Sequence, residues 1–171
     1  MTAKVQIRDD HFQTLCEALA QPEEVVFSFS TFEDGVFEVV RLEVMTGVDV
    51  ESQSSVHVTL ADEVRPRLIK TAWDSGHCLI EAHSHGPRGP AEFSRSDLLG
   101  FDDWVPHVRW RLRGRPYAAL VVAGRSWDAL AWVGGPQPVV VQTLEITRGG
   151  EVIDTIIPTS ATVTSRAGEL A

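Results

Sequence analysis

Only two cysteines occur in the 171 residues, Cys16 and Cys78. Two cannot build a disulfide framework, and neither belongs to a Cys-x-x-Cys pair. Both lie in apolar settings that suit buried thiols in a reducing compartment. No stretch approaches the roughly 20 apolar residues of a membrane span. The opening MTAKVQIRDD has no apolar core of a secretory signal. The expectation is a cytoplasmic protein without a membrane partner. Positive charge is also scarce. Lys and Arg number 15 against 24 Asp and Glu, for a formal net charge of -9. Such a chain repels phosphate backbones, so nucleic acid is not an expected partner. The basic run Arg109 to Arg115 suits an acidic protein partner instead.

No internal repeat and no linker divides the chain, and its length suits one domain with a proper core. The reading is a single domain over 1–159 followed by a small, polar, flexible tail over 160–171. Apolar spacing predicts a strand at Lys4 to Ile7 and a helix at about Asp10 to Ala20, where Phe12, Leu15, Cys16 and Leu19 share a face. Val25 to Thr31 and Val36 to Met45 read as strands joined by the turn signal Glu33-Asp34-Gly35, which makes them a hairpin. Val56 to Leu60 reads as a strand, Ala61 to Ser75 as a helix, Cys78 to Ala82 as a strand and Ser94 to about Trp104 as a helix. Four further strands follow at Tyr117 to Ala123, Trp127 to Val133, Val139 to Thr147 and Val152 to Ile157. Interleaved strands and helices predict an α/β (α+β) fold, one mixed sheet flanked by helices.

The chemistry concentrates in Glu81-Ala82-His83-Ser84-His85-Gly86 and Ser94-Arg95-Ser96-Asp97. Two histidines at i and i+2 on a strand point to one face. Asp97, in the first turn of the next helix, is placed to reach back across the Gly/Pro loop. Two His and one carboxylate leave a fourth tetrahedral position open, the arrangement of catalytic rather than structural zinc. Each half also has a plainer reading. A lone His-x-His is often no site, and Ser94 with Asp97 fits a helix-capping pair. His11, His57, His77 and His107 form no second cluster.

His83-Ser84-His85, eight intervening residues and Ser94-Arg95-Ser96-Asp97 resemble the motif of the JAMM (MPN-plus, JAB) zinc metalloproteases, in their prokaryotic stand-alone form. The usual gap is seven, and Gly86 stands where that family usually has Pro. The resemblance implies an MPN domain with a cytidine-deaminase-like core, zinc held by His83, His85 and Asp97, and an upstream Glu as base. Glu24, before a predicted strand, matches that Glu, with Glu23 as runner-up. Ser94 would donate to the oxyanion. The implied activity is a zinc-dependent isopeptidase or peptidase. It would remove or mature a ubiquitin-like modifier by attack of a zinc-activated water on the bond after the modifier's C-terminal tail. Implied partners are a ubiquitin-like or sulfur-carrier protein tail and E1-like and E2-like conjugation enzymes. The alternatives are a non-catalytic MPN-type binding scaffold, or a hydrolase of the same chemistry acting on a sulfur-carrier adduct or other small substrate. A zinc nucleoside deaminase would need a Pro-Cys-x-x-Cys pair that is absent.

Overall fold

A computed structural model describes residues 2–54 and 58–162. The elements run β1 (Ala3–Arg8), α1 (Asp9–Ala18), β2 (Val25–Glu33), β3 (Val36–Val44), β4 (Val50–Gln53), β5 (Val58–Leu60), α2 (Val64–Ser75), β6 (Cys78–His85), α3 (Arg95–Arg111), β7 (Tyr117–Ala123), β8 (Ser126–Trp132), β9 (Val139–Arg148) and β10 (Glu151–Ile156). The part of the expected strand over 55–57 and the tail over 163–171 lie outside the described residues. Residues 159–162 are helical, and Ser160 is tied to the Asp128 carboxylate through its amide at 3.0 Å and its hydroxyl at 2.8 Å.

The expected mixed sheet flanked by helices is not what forms. The strand order β1-β3-β2-β6-β7-β8-β9 returns on itself because β9 also pairs with β1, giving a closed seven-stranded barrel with β10 attached to β9. This replaces both the MPN domain and the cytidine-deaminase-like core that the motif implied. The physical reason is β1. It runs parallel to β3 on one side, Lys4 opposite Val36, and parallel to β9 on the other, Val5 opposite Leu144. One short N-terminal strand thereby satisfies both open edges, which would otherwise expose unpaired backbone groups.

Alternation along the strands divides the apolar residues between two cores. Val5, Ile7, Val26, Phe37, Ile80, Ala82, Leu120, Ala129 and Leu144 point inward, and Leu15 of α1 and Leu19 just after it join them. Val25, Phe27, Phe29, Leu79, Tyr117 and Ala119 point outward beneath Leu68, Ile69 and Ala72 of α2 and Phe101, Val105 and Val108 of α3. Strand β7 is buried along its whole length because both its faces are covered. Helix α3 continues past Pro106 to Arg111, farther than the expected end near Trp104. Proline removes one intrahelical donor, yet Val105 and Val108 on either side stay buried and hold the helix in place.

The expected hairpin of β2 and β3 forms, with Glu33 opposite Val36. Asp34 and Gly35 both take positive φ, 50° and 84°, as a two-residue hairpin turn requires. A Cβ on Gly35 would lie 2.6 Å from the Thr2 carbonyl oxygen. Gly35→Ala therefore combines backbone strain with a clash against main chain. Urea unfolding is expected to show a loss of about 1–3 kcal/mol. A midpoint equal to that of the wild type would show that β1 can move away from the turn at no cost.

Candidate metal site

Strand β6 is held from both sides, antiparallel to β2 with Val25 opposite His83 and parallel to β7 with His83 opposite Val121. His83 and His85 share the outward face with Glu81, while Ser84 turns the other way. Ser84 is buried and ties down the preceding turn. Its hydroxyl donates to the Gln21 carbonyl and accepts the Glu24 amide at 3.0 Å. Its carbonyl accepts the Glu23 amide at 2.8 Å, and its amide donates to the Glu24 carbonyl at 3.1 Å. The central residue of His-Ser-His thus positions a Glu-bearing turn beside the two imidazoles.

Ser94 caps α3. Its hydroxyl accepts the Asp97 amide at 3.1 Å, and its own amide donates to Asp97 Oδ2 at 2.7 Å, a reciprocal capping box. The same Oδ2 lies 3.4 Å from His83 Nε2 and 3.3 Å from His85 Nε2, and the two Nε2 atoms are 3.1 Å apart. Capping and convergence on the histidines are therefore one arrangement. The structure brings His83, His85 and Asp97 to a single point, with His83 buried and the other two partly open to solvent.

A tetrahedral ion about 2.0–2.1 Å from each donor sets neighbouring donors about 3.3–3.4 Å apart. Adjacent positions of an octahedral ion at similar distances are about 3.0 Å apart. The two edges to Asp97, 3.3 and 3.4 Å, match the tetrahedral value, and the 3.1 Å edge between the imidazoles lies between the two. Three lone-pair-bearing atoms this close repel one another unless a cation or proton sits between them, so the donor set fits a metal. Burial works against charge on His83, but the Asp97 carboxylate outweighs it, aided by Glu81 and Glu23, so its pKa is raised. Burial likewise works against charge on Asp97, yet His83 and the Ser94 contacts hold it down to about 2. Asp97 is thus ionised, and a ready ligand, throughout the neutral range.

A cavity of about 650 Å³ opens over the triad. Glu23, Glu81, Arg65, Arg88, Ser94 and Trp104 are among its walls, and Glu24 is not. Both glutamates precede β2, and the turn directs Glu23 to the cavity and leaves Glu24 off its wall. Glu23 is also held at φ 62°, a conformation that non-glycine residues rarely take. Glu81 was not singled out from sequence. Its Oε2 accepts the hydroxyl of buried Tyr117 at 2.8 Å, and that hydroxyl accepts the Trp104 indole N–H at 2.9 Å. Burial, reinforced by Glu81, pushes the Tyr117 phenol up and keeps it protonated. Arg65 stacks on Trp104 at 4.2 Å.

No protein-family profile matches the chain, and no curated protein matches it. Among solved structures, a Desulfitobacterium hafniense protein studied in solution superposes with a TM-score of 0.52 at 12% identity, covering 86% of this chain and 95% of that one. A Salinibacter ruber protein studied in solution gives 0.44 at 20% identity, covering 86% and 94%. Both were structural genomics targets. At such identity the first likeness is one of fold alone. It supports the barrel and overturns the assignment to the JAMM family that the motif had implied.

Two outcomes follow from this geometry. Purified protein is expected to hold one zinc per chain, and His85→Ala to lose it, as elemental analysis would show; equal zinc in both would remove the ligand assignment. Glu23→Gly relieves left-handed strain of about 1 kcal/mol, so in chemical denaturation it should be at least as stable as the wild type. A marked loss would show that the Glu23 side chain supports the fold.

Proposed function

We propose that this protein is a zinc-dependent hydrolase of amide bonds, of the peptidase or isopeptidase type. The observation that carries the reading is the triangle of His83 Nε2, His85 Nε2 and Asp97 Oδ2, with edges of 3.1 to 3.4 Å, at the floor of an open cavity. Zinc in that triangle would supply a Lewis acid and lower the pKa of a bound water toward neutrality.

The chain's own groups divide the remaining work. Glu23 is the base. It lines the cavity, and no described residue hydrogen-bonds its carboxylate. It takes a proton from the attacking water and passes it to the departing nitrogen. Glu81 is less suited, since the Tyr117 hydroxyl already occupies one of its oxygens. Ser94 Oγ accepts the Asp97 amide, which leaves its own hydrogen free to donate to the developing oxyanion. Non-haem iron oxygenases use the same donor set. Here the two wall carboxylates, Glu23 and Glu81, favour hydrolysis. A ubiquitin-like tail as substrate was implied by the motif resemblance, and the cavity supports amide hydrolysis without selecting that tail.

Glu23→Gln and Glu24→Gln separate the two neighbouring carboxylates. With a mixture of N-acylated peptides followed by mass spectrometry, Glu23→Gln is expected to lose at least about 10²-fold in turnover while keeping its zinc. Glu24→Gln should cut at the wild-type rate. The reverse pattern would restore Glu24 as base, and a zinc-loaded wild type that cuts no amide would end the hydrolytic reading.

A further inference from the structure

A second cavity, of about 560 Å³, opens at the barrel mouth and shares His85 with the metal site. We propose that it receives the leaving-group residue of the substrate, a bulky apolar side chain whose free α-carboxylate pairs with Arg125. This inference rests on the hydrolytic reading above and adds a substrate class to it.

His85 ends β6 at the barrel rim, so it borders the outer face, where the ligands converge, and also the mouth, where the inner core is open. Phe12 of α1, Leu19 just after it, Val122 and Trp127 of the inner wall, and Ile156 of β10 line the mouth. Barrel mouths of this volume and apolar character are ordinary places for small ligands. Arg125 is the only Lys, Arg, Asp or Glu among the lining residues. Arg125 sits with Gly124 in the two-residue turn between β7 and β8, and Gly124 has φ 60°. Its side chain is exposed, and among the described residues it has no ion-pair or hydrogen-bond partner. In a chain of net charge -9, an unpaired arginine on the rim of an apolar cleft is a counter-charge awaiting an anion. A guanidinium fits a carboxylate in a two-pronged pair.

The reaction is hydrolysis of an N-acyl amino acid or of a C-terminal peptide bond. Water supplies OH to the acyl carbon and H to the nitrogen. The C–N bond breaks, and an apolar amino acid leaves with its carboxylate intact. No oxidant or further reactant is needed.

Calorimetric titration of the zinc-free full-length protein with N-acetylphenylalanine tests the cleft without turnover. The free acid is expected to bind at least about tenfold more tightly than N-acetylphenylalanine amide or N-acetylglycine. Arg125→Gln should abolish the preference for the acid and keep the preference for phenylalanine. Cys16, exposed and on the cleft wall, allows a blocking test. Capping it with benzyl methanethiosulfonate should abolish binding, while Cys16→Ser treated in the same way should bind as before. Equal affinity for the three ligands, or no binding, overturns the proposal. If the zinc-loaded protein cuts amides without regard to the leaving residue, this inference fails and the hydrolytic reading stands. Selective binding by a protein that takes up no zinc supports the cleft and ends the reading on which the reaction rests.

Discussion

The candidate site depends on the register of β6 between β2 and β7. Because side chains alternate along a strand, a one-residue slip would send both histidines inward and put Ser84 on the cavity floor. Ladders on both sides forbid the slip, with His83 opposite Val25 on one and Val121 on the other. Ser84 adds an anchor. Its buried hydroxyl and both its backbone groups bind the Gln21–Glu24 turn. One residue between the two histidines thus sets where Glu23 stands relative to them, although the two segments are some sixty positions apart in the chain.

The second half of the site comes from a helix terminus. The capping reading of Ser94 and Asp97 and the ligand reading looked like rivals, yet the geometry makes them the same contact. Oδ2 of Asp97 accepts the Ser94 amide while facing both Nε2 atoms. The cap fixes the carboxylate's rotamer, so less side-chain entropy would be lost if an ion bound there. The positive end of the α3 dipole further favours the ionised carboxylate.

Much of the local structure was legible in the sequence. Spacing of apolar residues placed β2, β3, β7, β9 and α2 within a few residues, and Asp34-Gly35 announced its hairpin. Barrel closure was not legible, because alternation marks a strand without naming its partner. The closing pair joins residues about 140 apart, Gln6 with Glu145 for example. Strand β4 was missed because Val50-Glu51-Ser52-Gln53 is mostly exposed and polar. The candidate triad was legible because its three residues sit at characteristic spacings on two adjoining elements. The facing of Glu23 and Glu24 was not. Strand β2 is buried on both faces from Val25 to Ser30, so no polar alternation reveals which of the glutamates before it lines the cavity.

Glu23 carries one more signal that sequence alone cannot supply. It follows Pro22 in a turn and has φ 62°, a position for which glycine or asparagine is the ordinary choice. Backbone preference therefore argues against glutamate there, and so does the gathering of negative charge near Asp97 and Glu81. Neither cost is offset by a bond from its carboxylate to any described residue. Where a local rule is broken, a functional role is a hypothesis worth testing, and the proposed base role is one for Glu23. The turn fixes the Glu23 backbone through its amide and carbonyl and leaves its carboxylate on the wall of the cavity over the two imidazoles, which fits the proposed role of base. That combination ties the turn, the strand and the helix cap into one device.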